Sequence, residues 1–316
     1  MKKILFLILL AMFCFSGHCF SQNTKTIILK DSTKYVGQVV NGLPNGYGKG
    51  YYKNGSWYEG QWKNGKNDGL GKIYYPNGNI CYEGDFMGNE FHGFGTYYYE
   101  NKNGAKEYMG EWKNGVADGH GTFYYESGVV EYNGGVKEDQ WDGYGKCFYD
   151  NGVLELEGTF RKGYLNGFAK SYYKNKTLEY AGYFVDGYWD GNGKSYYKDG
   201  SLEYDGYWKK GEREGFGKYY KNGILIFEGY FSKDNPTQGT LYDDETGVKL
   251  YNGTFVYDKD NDVVYPDGFG TRYYSNGKAM YRGDFKKGLF HGNGILYKED
   301  GTVDKSGVFE NDKFIR

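Results

Sequence analysis

The 316-residue chain carries 39 Lys and Arg against 41 Asp and Glu, a formal net charge of −2. That balance lacks the basic surplus on which nucleic-acid binders and strong binders of anionic membrane rely. With 53 glycines at fixed intervals the chain is also no helical bundle, since each glycine costs a helix about 1 kcal/mol relative to alanine.

The first element, residues 1–21, reads as a signal peptide. Lys2 and Lys3 form a charged start and Ile4 to Phe15 an apolar run of 12 residues. Such a run is short of the roughly 20 residues that a membrane span needs. Cys19-Phe20-Ser21 predicts cleavage after Ser21, and so export to the periplasm, the cell surface or the medium. A lipoprotein needs a small residue before its modified cysteine; His18 precedes Cys19 and Phe13 precedes Cys14. Residues 22–34 form a lead-in, in which Thr26-Ile27-Ile28-Leu29 is predicted to be a strand that caps the edge of the repeat array.

Residues 35–316 form that array. Units begin at Tyr35, Tyr58, Tyr82, Tyr108, Tyr132, Leu156, Tyr180, Tyr204, Phe227, Tyr251, Tyr281 and Lys305, mostly 23 or 24 residues apart. This makes eleven full units and a truncated twelfth. The third position is always glycine, as in Gly37, Gly60 and Gly84, and the fifth is mostly aromatic, as in Trp62, Phe86 and Trp112. A Gly-x-Gly comes next (Gly69-Leu70-Gly71, Gly143-Tyr144-Gly145), then a tyrosine pair (Tyr124-Tyr125, Tyr172-Tyr173, Tyr196-Tyr197) and a turn such as Asn77-Gly78.

Each unit reads as a hairpin. Tyr58, Gly60 and Trp62 alternate with Glu59 and Gln61, the period of a half-buried strand. Lys63-Asn64-Gly65-Lys66 is turn chemistry, because Asn and Gly accept positive φ cheaply. Gly71 to Tyr75 is a second strand. The glycines are expected to leave room for rings to lie flat over the backbone and to stack along one face like tiles. Spacing alone leaves open a closed barrel or a stack of separate hairpins.

The run Tyr-Glu-Gly-x-Trp, Asn-Gly, Asp-Gly-x-Gly-x-x-Tyr-Tyr beginning at Tyr58 resembles the MORN (membrane occupation and recognition nexus) repeat over residues 35–310. Units such as Tyr196 to Gly206 also resemble the bacterial variant found in exported and antitoxin-like proteins. The resemblance implies an all-β fold, an elongated single-layer antiparallel sheet built from about eleven tandem β-hairpin repeats. Departures are Leu156 and Lys305 for the first aromatic, Ala169 for the second glycine of Gly-x-Gly, and Gln238-Gly239-Thr240 in the Phe227 unit.

The catalytic inventory is poor. His92 and His291 occupy the column before Gly-x-Gly, where other units carry Asn45, Asp68 or Asp142, and His120 lies within the motif; all three read as hairpin residues. Glu59, Glu83 and Glu157, with Asp68 and Asp190, fall in columns copied along the chain, unlike a single acid–base constellation. The protein is read as non-enzymatic, with no catalytic residues and no cofactor. In the Tyr251 unit a longer loop places Asp258, Asp260 and Asp262 alternately, as in a calcium loop, but the central glycine and terminal glutamate are missing; it reads as a solvated hairpin tip. Cys81 and Cys147, separated by about six strands or roughly 30 Å, are expected to be separate thiols. Lys49, Lys72, Lys146, Lys170, Lys194 and Lys218 form a ladder read as a soluble face.

The expected function is a scaffold that binds a protein partner through an aromatic surface, with Trp62, Trp112, Trp208, Tyr75, Tyr125, Tyr173 and Tyr197 as candidate contacts. Edge-to-edge pairing with a second copy is a related outcome. A cell-wall or glycan-binding module is the alternative, since short aromatic hairpin repeats also stack on sugars or cage choline. Membrane association ranks lower without a basic surplus or amphipathic helix. An antitoxin-like role sits awkwardly with an export signal.

Overall fold

The computed structural model describes residues 24–100 and 104–316; the signal peptide and its cleavage site lie outside these residues. The chain is all-β and antiparallel, with 26 strands and no helix among the described residues. It divides into two units, the first holding the described residues up to 104 with 113–115, the second 105–112 with 116–316.

In the first unit the strands Thr24–Ile28, Lys34–Val40, Leu43–Tyr51, Trp57–Lys63, Lys66–Tyr74, Ile80–Met87 and Glu90–Tyr98 pair in chain order. In the second, the run from Val116–Tyr124 to Lys313–Phe314 does the same. Each is an open single layer of tandem hairpins. The capping strand expected at Thr26 to Leu29 is Thr24–Ile28, paired along Lys34–Val40. The last edge is covered by Lys313–Phe314, whose C-terminal neighbour Arg316 accepts the Val308 N–H at 2.6 Å.

Tight turns set the register. Asn64-Gly65 lies at φ 51° and 83°, the left-handed pair that joins twisted antiparallel strands. The second residue of such turns also reaches one repeat back. Gly65 N–H donates to the Pro44 carbonyl at 2.9 Å, Gly187 to Leu165 at 3.0 Å and Gly211 to Trp189 at 2.9 Å. Where that residue is not glycine, its side chain adds a second bond. Asp139 Oδ1 accepts the Ala117 N–H at 2.7 Å, Asp234 Oδ1 that of Arg213 at 2.9 Å, and Asp312 Oδ1 that of Phe290 at 2.7 Å.

One face of the layer holds the core. Tyr35, Tyr58, Tyr82, Tyr132, Tyr180, Tyr204 and Tyr281 have no exposed surface. Each ring lies over two glycines that face one another across the ladder, such as Gly60 and Gly71 under Tyr58. Its hydroxyl donates to the carbonyl three residues on: Tyr58 to Gln61 at 2.8 Å, Tyr132 to Gly135 at 2.8 Å. The fifth-column rings bridge units, Phe86 meeting both Tyr58 and Tyr82 edge-on with centroids 4.9 and 5.1 Å away. The rings lie flat over glycine backbone as expected, and only the way neighbouring columns meet differs from tiles laid along one face. Neighbouring columns meet mostly at right angles, as the ring quadrupole favours. True stacks occur where a ring from the hairpin covers the tyrosine, as Trp141 on Tyr132 and Trp189 on Tyr180, 4.4 and 4.3 Å apart.

Candidate functional site

The strand period sends odd and even residues to opposite faces. Tyr58, Gly60 and Trp62 share the core side, so Trp62 and Trp208 are 4 % and 5 % exposed and Trp112 is buried as well. These three proposed contacts are core rings and offer no face to a partner. Trp62 Nε1 donates to the Gly48 carbonyl at 3.1 Å and Trp208 Nε1 to that of Gly193 at 3.3 Å. Tyr75, Tyr125, Tyr173 and Tyr197 are half-buried, and each hydroxyl donates to a carbonyl 23 residues on: Tyr98, Phe148, Tyr196 and Tyr220. Burial pushes the Tyr125 hydroxyl up to about 12 and raises the other three. These four tie neighbouring repeats together.

Six exposed rings lie on the other face, at the middle position of Gly-x-Gly and at the fourth position of the repeat. Tyr144, Phe168, Tyr183, Tyr207, Phe216 and Tyr230 are all exposed, and Phe168 faces Tyr183 while Phe216 faces Tyr230 across the ladder. Those two pairs meet edge to face with centroids 5.9 and 5.6 Å apart. The sequence reading missed these six. The signal for Tyr144, Phe168 and Phe216 was the aromatic at the centre of Gly-x-Gly or its Gly-Phe-Ala variant; for Tyr183, Tyr207 and Tyr230 it was an aromatic in a column that is mostly polar.

Two residues further along each strand runs the lysine ladder, and it is largely neutralised. Lys49 pairs with Glu59 at 3.0 Å, Lys72 with Glu83 at 2.8 Å, Lys146 with Glu157 at 3.2 Å, Lys194 with Asp205 at 2.9 Å and Lys218 with Glu228 at 3.0 Å. All are partly exposed, so solvent screens them and they add little to the fold. Hydrogen bonds from Tyr144 and then Lys146 hold the Glu157 carboxyl below the usual carboxylate range. Between ring row and charged row the floor is backbone, at glycine in most repeats and at Ala169 in one. In the first unit this trough is a shallow groove of about 580 Å³, with Tyr47, Leu70 and Phe94 on one side and Glu59, Lys72 and Glu83 on the other.

Of the aspartates considered for calcium, the Asp258 and Asp262 carboxylates are engaged by their own turn, and Asp258 also lies 3.7 Å from Lys287 Nζ. Asp258 accepts from Asp260 N–H at 3.1 Å and Asn261 Nδ2 at 3.0 Å, and Asp262 from Tyr257 at 2.8 Å. Among the described residues no group of three His, Cys, Asp or Glu could hold a metal ion. His92 and His291 face Asp85 and Asp284 across their hairpins, and their Nδ1 atoms are buried without a hydrogen-bond partner. Cys81 and Cys147 are buried thiols, and burial pushes Cys147 up to about 12.

The MORN repeat model matches residues 35–57, 58–80, 82–104, 108–130, 132–153, 157–177, 180–202, 204–224, 265–279 and 281–303, well over half of the chain. No curated protein matches it. The stretch between 224 and 265 escapes the repeat model yet keeps the hairpins, with Gly229 facing Gly239 and Gly253 facing Gly270. On the extent of these matches, the chain belongs to the MORN repeat family.

Proposed function

We propose that the chain is an exported, non-enzymatic scaffold that holds a protein partner on the outward face of its repeat sheet. The observation that supports this most is the row of exposed rings between Tyr144 and Tyr230, on the side of the sheet that the core does not use. Aromatic side chains give large, rigid contact area at low entropic cost and dominate interface energetics. Export rests on the leader-like residues 1–21.

A photo-reactive residue at Phe216, in the full chain expressed in its own cell, tests the reading. A discrete cross-linked protein is expected, lost when the same residue is placed at buried Phe184. Cross-links to polysaccharide, together with retention on peptidoglycan, would favour the glycan reading and remove this one.

A further inference from the structure

The outward trough has a period, a width and a charge, and together they select a ligand. We propose that its stretch from Tyr144 to Tyr230 binds a proline-rich segment in the polyproline II conformation that carries an acidic residue opposite Lys170. This names the class of partner for the scaffold reading and rests on it.

The period comes from the sheet. Each repeat contributes two strands at about 4.8 Å separation, so equivalent side chains recur about every 9.6 Å across the strands. Tyr183, Tyr207 and Tyr230 supply a ring at the same position of three consecutive repeats, and Tyr144, Phe168 and Phe216 add rings on intervening strands. A polyproline II helix has three residues per turn at about 3.1 Å each, a pitch of roughly 9.3 Å. From Tyr183 through Tyr207 to Tyr230 each turn of such a ligand meets an equivalent ring. An extended strand repeats each side chain at about 6.7 Å and falls out of step within one unit.

Width excludes a helix. Ring row and charged row lie two residues apart along a strand, about 6.7 Å. An α-helix with its side chains is about 10–12 Å across and cannot reach the backbone floor. Proline rings pack on aromatic faces, and a preformed polyproline helix has little entropy left to lose.

Two departures from the repeat mark this stretch. In several other units the fourth position carries a polar side chain that serves the backbone of the hairpin: Gln38 accepts the Tyr47 N–H at 3.0 Å, Asp85 that of Phe94 at 3.2 Å and Asp284 that of Asn293 at 3.2 Å. Here Tyr183, Tyr207 and Tyr230 replace it in consecutive units, giving up that bond for an exposed ring. Lys170 is the second departure. Its cross-strand neighbour is Ala181, where the other five lysines of the ladder face Glu or Asp. Its other neighbour, Glu157, already pairs with Lys146. Lys170 thus shares the Glu157 charge with Lys146 and has no acidic residue of its own, and a cation so placed amid exposed rings suits a carboxylate from the ligand.

The test uses the full chain and three synthetic peptides of about twelve residues, or four turns. One is polyproline with a central aspartate, one the same with a central lysine, and one a glycine–serine chain with the aspartate. Fluorescence anisotropy should show binding of the first only. The double variant F168S/Y183S, at exposed positions, should weaken it by about tenfold or more. K170E should reverse the preference between the two proline peptides. Equal binding of the glycine–serine peptide, or no change in either variant, overturns the proposal. A chitin oligosaccharide that binds and is lost in F168S/Y183S overturns it in favour of a glycan. If the proline peptides fail but the cross-link at Phe216 still captures a protein that needs Phe168 and Tyr183, the ligand class falls and the scaffold reading stands.

Discussion

Tyr58 lies flat on Gly71. A β-carbon at Gly71 would come within 2.2 Å of the tyrosine hydroxyl and 2.4 Å of its ring. Gly71→Ala should therefore expel a buried ring, at about 2–4 kcal/mol of local stability. The chain has already made the compensated version. Ala169 is the alanine of a Gly-x-Gly, and it lies in the repeat where Leu156 replaces the tyrosine and buried Leu165 fills the space. Tyr58→Leu combined with Gly71→Ala should thus cost less than the sum of the two single changes. Hydrogen exchange of the amides in 57–74 reads the effect where it arises, since repeat arrays need not unfold in one step.

Asp139 holds a left-handed φ of 62° and accepts the N–H of Ala117 one repeat back. Asp139→Ala loses that acceptor and keeps an unfavourable backbone, about 2 kcal/mol in all. Asp139→Gly loses only the bond, at about 1 kcal/mol, because glycine takes this φ freely. Thermal melts of the two variants should rank in that order; equal melts would mean the turn bond does not matter.

Burial pushes the hydroxyls of Tyr35, Tyr251 and Tyr281 up to about 12, and raises Tyr58, Tyr82 and Tyr132 further. In the unfolded chain they ionise near 10. Above that pH the unfolded state sheds protons that the folded state keeps, so stability falls as pH rises. The contribution is whole below about pH 10 and lost through pH 12. Denaturant midpoints should hold steady from pH 7 to 9 and drop steeply between 10 and 12.

Outward rings should matter little to the fold. Phe168→Ser and Tyr183→Ser are each expected to change stability by about 0.5 kcal/mol or less, against about 3–5 kcal/mol for Trp208→Ala in the core. Chemical denaturation of the three variants checks this. A large loss for the outward pair would mean that those rings belong to the fold.

The glycine columns, the aromatic first column and the Asn-Gly turns made the hairpin array legible from the sequence, because each is a local demand of twisted antiparallel pairing. That Trp62 shares a side with Tyr58 was legible too, from the two-residue period. What the period does not say is which side of a single layer becomes the core. That depends on where the glycine pairs open space for Tyr58 and Tyr82, a property of two strands together. The bonds of Tyr75, Tyr125, Tyr173 and Tyr197 to carbonyls 23 residues on were illegible for the same reason. So Trp62, Trp112 and Trp208 looked like contacts, and the rings at the centre of Gly-x-Gly were passed over.

Tyrosine nitration of the folded chain, mapped by mass spectrometry, tests the division into two faces most directly. Tyr144, Tyr183, Tyr207 and Tyr230 should react readily, while Tyr58, Tyr82, Tyr132, Tyr180 and Tyr204 stay unmodified until the chain is unfolded. Comparable reaction at Tyr180 and Tyr183, three residues apart on one strand, would contradict the account.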